Sequence, residues 1–181
     1  MRIELELATI KEMSLAREDE NWEFRAYLKW HDPPGLDALV QQLYEEISTQ
    51  IDCTQCGNCC RESAPVLSAR DVRRFANGLG ISAAKFQAES LIPDEEKGKF
   101  CFSAKPCPFL KDNKCTNYEN RPEDCRSYPH LHEKHFTTRL MGVIDSCEIC
   151  PIVFNVYERL KEELRWRPPE PTRWSSESCT H

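Results

Sequence analysis

Apolar positions recur at helical spacing toward both ends of the chain and lose that rhythm in the middle. Leu36, Leu39, Val40, Leu43, Tyr44 and Ile47 fall at i, i+3, i+4, i+7, i+8 and i+11, which lays one apolar stripe along one helix face. The Asp32-Pro33-Pro34-Gly35 break separates this helix from an earlier, less regular amphipathic stretch between Leu15 and Trp30, so residues 1–51 read as helical. Near the other end, Ile152, Val153, Val156, Tyr157, Leu160 and Leu164 mark a closing helix.

Between these ends the pattern is shorter and more broken. The run Cys53-Thr54-Gln55-Cys56-Gly57-Asn58-Cys59-Cys60 is too rich in cysteine and turn formers for regular structure and reads as a loop that opens a short helix. Ser68-Ala69-Arg70-Asp71 is a capping pattern that starts one helix, stopped near Gly78 or Gly80; Ser82 starts another, stopped before Pro93. Val72, Phe75, Leu79, Phe86 and Leu91 are their core-facing residues. From Phe100 to Pro129 the chain is irregular, with Lys111-Asp112-Asn113-Lys114 as a turn between two short extended pieces. A strand is predicted through Phe136 to Ile144. The fold class is therefore mainly α with a few short strands, a small single domain over residues 1–166 in which helices from both ends surround a cysteine-rich centre at 52–130. After Arg167 the Pro- and Ser-rich tail, 167–181, has no periodicity and is predicted to be disordered.

A chain of 181 residues is long enough to bury a core as one domain, and 40% hydrophobic with 30% charged residues is a globular composition. No apolar stretch is long enough for a membrane span, and Met1-Arg2-Ile3-Glu4-Leu5-Glu6-Leu7 interrupts its apolar residues with acids, unlike a secretory signal. The expectation is a cytoplasmic protein without membrane contact. A net charge of −6 gives no electrostatic reason to expect nucleic acid as a partner. Gly-x-Gly-x-x-Gly, Gly-x4-Gly-Lys-Ser/Thr and Gly-x-Ser-x-Gly are all missing, so nucleotide-binding loops and a hydrolase elbow have no support.

The eleven cysteines dominate what remains. In a reducing compartment dense cysteine spacing points to metal or redox chemistry, and an odd total with the adjacent pair Cys59-Cys60 argues further against a disulfide framework. Cys53-x2-Cys56 and Cys56-x2-Cys59 are chelating spacings, because a four-residue turn can aim its first and last sulfurs at one ion about 2.3 Å from each. Successive side chains such as Cys59 and Cys60 project differently, which favours two metal positions or a multinuclear cluster over one isolated ion. The candidate ligands are Cys53, Cys56, Cys59, Cys60, Cys107, Cys115, Cys125, Cys147 and Cys150; Cys101 lies apart, and Cys179, in the tail, reads as a free thiol. Cysteines at x2 spacing followed by Cys107-Pro108 and Cys150-Pro151 partly echo the ferredoxin run Cys-x2-Cys-x2-Cys-x3-Cys-Pro. An all-sulfur donor set favours an iron–sulfur cluster, with structural zinc as the alternative.

The Cys53-x2-Cys56-x2-Cys59-Cys60 run resembles the signature of the YkgJ-type cysteine-cluster family, a zinc- or iron-chelating domain. Cys107-Pro108-Phe109-Leu110, Cys115, Tyr118, Arg121-Pro122, Cys125-Arg126 and Tyr128-Pro129 are similar, in order, to its second signature, and Leu67-Ser68, Asp71 and Gly78 to Ser82 resemble its helical insert. The likeness spans residues 52 to 130, and Cys147 and Cys150 match a trailing Cys-x2-Cys-Pro only loosely. It implies bound metal and names no reaction. The same signature occurs in flagellin lysine N-methylases, a likeness confined to the cluster region. Arg61, Arg121 and Arg126 are placed either to offset thiolate charge or to form ordinary ion pairs, and His130, His132 and His135 read as surface histidines rather than ligands. Glu45-Glu46 and Glu162-Glu163 fall on outer helix faces and read as solvated charge. Three readings of function remain: a redox or electron-transfer protein with a protein partner the sequence does not identify, a zinc-stabilised interaction module, or a cluster-dependent enzyme.

Overall fold

The computed structural model describes residues 3–169. The N-terminal third is helical as its periodicity predicts, in three pieces: α1 (Leu7–Ala16), α2 (Glu18–His31) and α3 (Leu36–Ser48). The stripe residues Leu36, Val40, Leu43 and Ile47 are buried on α3. Two one-turn helices follow, α4 (Cys53–Cys56) and α5 (Cys59–Glu62), where only a loop opening a helix was expected. Next come β1 (Val66–Leu67), α6 (Ala69–Leu79), α7 (Ala83–Ser90), β2 (Leu91–Pro93) and β3 (Phe100–Phe102), with β3 central in a three-stranded antiparallel sheet of order β1-β3-β2. β4 (Leu110–Lys111) and β5 (Lys114–Cys115) form the hairpin anticipated around Asp112-Asn113, whose left-handed φ values of 49° and 63° make the tight turn. The chain closes with α8 (Glu123–Ser127), α9 (Leu140–Cys147) and α10 (Pro151–Glu163). The fold is mainly α with short strands.

One element differs in type from its expectation. Phe136 to Ile144 is a 3-10 turn, Phe136–Arg139, running into α9, not a strand. Phe136, Leu140, Val143 and Ile144 are the buried residues there, and that spacing of three and four is a helical face, which short-range β-propensity does not report. Of the expected tail, residues 170–181 lie outside the described residues, and 167–169 carry no regular structure.

Two apolar clusters organise the chain. The larger gathers α2, α3, α9 and α10 with Leu131, Phe136 and Trp166. Its axis is α10, buried on nearly every face from Pro151 to Tyr157 and packed against α1, α3 and α9. Inside it, the Lys161 ammonium is buried but bonded to Glu20, Asn21 and Glu158 at 2.7 to 2.9 Å, so its charge is matched where water cannot reach. The smaller cluster joins α6, α7 and the three-stranded sheet through Phe75, Phe86 and Phe102, with Phe109 edge-on to Phe75 at 4.7 Å between ring centroids. The cysteine segments lie between the two clusters.

Asp71 ties the smaller cluster to the cysteine region. It completes the Ser68 capping box, pairs with Arg74 at 2.6 Å, and accepts the Glu123 amide at the start of α8 at 3.1 Å. Burial pushes this carboxyl up, but the Ser68 hydroxyl and amide, the Glu123 amide and Arg74 outweigh it and hold it below its ordinary 3.8. A depressed folded value means that Asp71's contribution is complete above about pH 3.8 and is lost as pH falls through the folded value. We expect Asp71→Asn to cost about 1.5 to 3 kcal/mol at neutral pH, the range for hydrogen bonds to a charged group, and to lessen the loss of stability on acidification. Denaturant unfolding at pH 7 and pH 3 reads both effects, and an unchanged acid dependence in the variant would contradict the role given to Asp71.

Candidate metal centre

Each cysteine segment is fixed by its own local chemistry. Asp52 caps α4 by accepting the Thr54 amide at 2.9 Å, and the single turn that follows places Cys53 and Cys56 at i, i+3 on one face. Gly57, left-handed at φ 59°, ends α4 and redirects the chain into α5, which carries Cys59 and Cys60. A Cβ at Gly57 would stand 2.8 Å from the backbone oxygen of Asn113, so only glycine lets the β4–β5 turn press against this corner. Asn113 in turn donates to the Gln55 carbonyl at 2.9 Å and accepts from Arg61. Cys107 donates its amide to the Cys60 carbonyl at 2.8 Å, and Cys115 sits opposite Leu110 in the hairpin. On the other side, the Asn58 side chain donates to the Ile149 carbonyl at 2.8 Å and holds the start of α5 against the corner that bears Cys150.

These contacts surround a cavity of about 1100 Å³ whose walls include Cys53, Cys59, Cys60, Cys107, Cys115 and Cys125. Arg121, Arg126, Arg139, Asp124 and His130 are among the charged and titratable groups on the rest of the wall. Cys56, Cys147 and Cys150 are outside the lining: Cys56 and Cys150 are electrostatic neighbours of Cys53, while Cys147 is 2% exposed within the larger apolar cluster. After burial, the charges acting on Cys147 are first Glu158 and Lys161, not the sulfurs of the other segments. Cys101 is on the central strand, its thiol hydrogen-bonded to Asp94 at 3.1 Å and pushed up to about 11 by burial and that carboxylate. Cys179 lies outside the described residues. All ten described cysteines are free thiols. Among the described residues no three His, Cys, Asp or Glu side chains are closed onto one point at ligand spacing, so the sulfurs form a neighbourhood rather than a finished polyhedron.

The electrostatics of that neighbourhood fit a cation. Burial pushes the thiols of Cys53, Cys107, Cys115, Cys125 and Cys150 up, Cys107 and Cys150 to about 11, and other cysteines add to the push in every case. A metal ion among them reverses both penalties, since it replaces water around the sulfurs and cancels their repulsion. The Leu110 amide donates to the Cys107 carbonyl at 3.0 Å and the Phe154 amide to the Cys150 carbonyl at 2.9 Å, and the amides just after each cysteine lower its thiol against the larger effect of burial. The Tyr128 hydroxyl is buried beside Cys150 and Ser146 without a well-formed hydrogen bond, an orphan donor that an ionised Cys150 would satisfy. Cys59 and Cys60, adjacent in the one-turn α5, act on each other: Cys60 and burial raise Cys59, while Cys59 and Arg61 lower Cys60 toward the thiolate.

The basic residues divide between the two roles considered for them. Arg61 lowers Cys60 and Arg121 lowers Cys115, so both offset thiolate charge, while Arg126 donates to the carbonyls of Arg121 and Glu119 and braces the α8 entry. His130 is held between Asp124 at 3.3 Å and Glu133 at 2.8 Å and is raised chiefly by Asp124; His132 and His135 are exposed. Asn58, Gly57, Asn113 and the Tyr128 hydroxyl are the site residues that sequence reasoning did not single out by role, although Gly57-Asn58 inside the Cys56-x2-Cys59 spacing and Tyr128-Pro129 in the second signature were visible as positions.

A helical protein that gathers thiols from separate segments around one cavity belongs to the class of cysteine-cluster metal proteins. The family described as CxxCxxCC, putative zinc- or iron-chelating domain, matches residues 52–151, more than half of the chain, and the chain belongs to it. The chain is thus a metal-binding protein of that family. No curated protein and no solved structure gives a significant match. Among the described residues no helix is long and apolar enough to cross a membrane.

We expect Gly57→Ala to weaken metal binding without touching a sulfur. Forcing an alanine into the left-handed region costs about 1 to 2 kcal/mol, and the new Cβ also drives the Asn113 turn away from α4. Competition with a calibrated chelator measures the effect as at least a tenfold loss of affinity, and unchanged affinity would mean that the packing of this corner does not govern the site.

Proposed function

We propose that the chain is an iron–sulfur protein with a redox or electron-transfer role, exchanging electrons with a protein partner. The observation that carries this reading is the number and kind of donors at one cavity: six thiols on its walls and two more that neighbour Cys53, where a single four-coordinate zinc ion takes four. An all-sulfur set with amide donors and guanidinium groups aimed at the sulfurs is the environment that sets the potential of such clusters. When bound, the cluster supplies one-electron transfer. The protein's own part is to favour the thiolates with the amides of Phe109 and Leu110 after Cys107 and of Ile152 and Val153 after Cys150, to soften their charge with Arg61 and Arg121, and to keep the far side dry with the larger apolar cluster. Cys53 is an exposed residue of the lining, so a group held by it would be open to an approaching partner.

Iron and acid-labile sulfide in protein purified anaerobically from iron-supplied cells test the proposal. We expect iron and sulfide in comparable amounts and a broad visible charge-transfer absorption that bleaches on reduction. Colourless protein with stoichiometric zinc would instead make the chain a zinc-stabilised module, because zinc is d10 and redox-silent.

A further inference from the structure

We infer that a protein partner docks on the arginine face formed by α6, the 3-10 turn Tyr118–Asn120 and α8, anchored by Tyr118, Arg121 and Arg126, and that the surface it presents there is acidic. Such a partner is the one the electron-transfer reading above requires, and the docking surface rests on that reading.

The backbone gathers the arginines. The Arg121 carbonyl accepts from two other arginines at once, Arg74 at 2.8 Å and Arg126 at 3.1 Å, while Arg121 turns its own Nη1 onto the Tyr118 carbonyl at 2.9 Å. Arg126 also donates to the Glu119 carbonyl. These shared acceptors are neutral, so they fix the direction of the guanidinium groups without cancelling their charge. Arg70, exposed and four residues before Arg74, adds a further positive charge on the same side of α6.

Acids do not balance this corner. Asp71 pairs with Arg74 at 2.6 Å but is itself buried. Among the described residues neither Arg121 nor Arg126 has a carboxylate oxygen within ion-pair distance. Glu119 and Glu123 are the exposed acids of the stretch, and Glu123 accepts from the Ser127 hydroxyl instead. The donors left over are Nε and Nη2 of Arg121 and Nη1 of Arg126, which make no hydrogen bond to the chain among the described residues. An Nε–Nη2 edge is the one that grips a carboxylate through two parallel bonds. Like charges held this close also repel, and an incoming carboxylate relieves that repulsion.

The distribution of charge along the chain selects the same class of partner. With thiols counted as neutral, residues 52–130 carry 12 Lys and Arg against 11 Asp and Glu, while the rest of the chain carries 12 against 19. An acidic surface is therefore turned away from the helical ends and toward the cysteine region. Tyr118 is 44% exposed, and the Arg121 guanidinium stacks over its ring at 3.7 Å. Exposed tyrosine and arginine are the residue types in which interface energy concentrates. Arg121 and Arg126 also line the cavity that carries the thiols, and Arg126 directly follows Cys125, so a partner seated here lies against the wall of the metal centre.

Arginine footprinting of the metal-loaded wild-type chain tests the surface without any variant. Phenylglyoxal modification is read by peptide mass spectrometry with and without a synthetic peptide rich in Glu and Asp. We expect the peptide to slow modification of Arg70, Arg121 and Arg126 and to leave Arg25 and Arg159 unchanged. By fluorescence anisotropy of the labelled peptide, Arg121→Gln with Arg126→Gln should lose about tenfold in affinity, the scale of an interface anchor. Lys11→Gln with Lys29→Gln removes the same charge from α1 and α2 and should keep the wild-type affinity. Equal losses in the two double variants would reduce the interaction to net charge and overturn the surface, as would peptide binding that leaves Arg121 and Arg126 unprotected. Full displacement of the peptide by an equal concentration of inorganic phosphate would make this a simple anion site and overturn the partner. Both readouts work whichever metal the chain holds. Zinc protein that binds the peptide at these arginines would end the electron-transfer reading and leave the surface standing, whereas an iron–sulfur chain that fails the tests loses the surface alone.

Discussion

Eight sulfurs brought into one partly buried neighbourhood are the constraint on which the rest of the structure depends. A buried thiol resists ionisation, and a second thiolate nearby raises the cost again, so the assembled cysteines are unfavourable as free thiolates and inert as thiols. A bound cation removes both penalties at once. The centre is therefore a place where folding and metal binding are one equilibrium, and the free energy of the metal–thiolate bonds is available to order the chain that carries them.

The remainder of the fold supplies what the metal cannot. The larger cluster, with α10 at its axis, gives a rigid wall that carries Cys150 and excludes water behind it. The smaller aromatic cluster holds β3 and Phe109, and through Asp71 it fixes the start of α8, which bears Cys125. Neither cluster encloses the cysteine segments. Those are joined to their surroundings by single polar contacts: Asn58 to Ile149, Asn113 to Gln55, Cys107 to Cys60, and Asn117, buried, to the Phe75 carbonyl at 2.8 Å. Gly78 lets the last of these form, since a Cβ there would meet the Asn117 and Asn120 side chains at 2.2 to 2.3 Å. Bonds of this kind set direction precisely enough to aim sulfurs but contribute little net stability each.

Much of this architecture was legible in the residues, and the failures have physical causes. α3, α6, α7 and α10 were visible because their apolar periodicity or caps are local, as was the β4–β5 turn, whose Asp112-Asn113 pair tolerates left-handed backbone. Phe136 to Ile144 was misjudged because a short apolar run signals burial more strongly than it signals period. The smaller aromatic cluster was only half visible: Phe75 and Phe86 stood on predicted helices, but Phe102 and Phe109 joined them through a sheet no local signal announces. The cysteine spacing revealed chemistry and a family, yet not the separate setting of Cys147, which depends on how α9 packs into the larger cluster, a long-range fact no local signal carries.

The claim that metal and fold are coupled in the cysteine segments, while the apolar clusters stand on their own, is open to one direct measurement. Amide hydrogen exchange would be mapped on the metal-loaded chain and on chain stripped anaerobically with chelator and reductant. The account predicts that residues 52–63 and 105–127 lose protection on stripping, whereas α3 and α10 keep theirs. Equal protection of 52–63 and 105–127 in both forms would contradict it, and would make the metal an accessory to a fold that is complete without it.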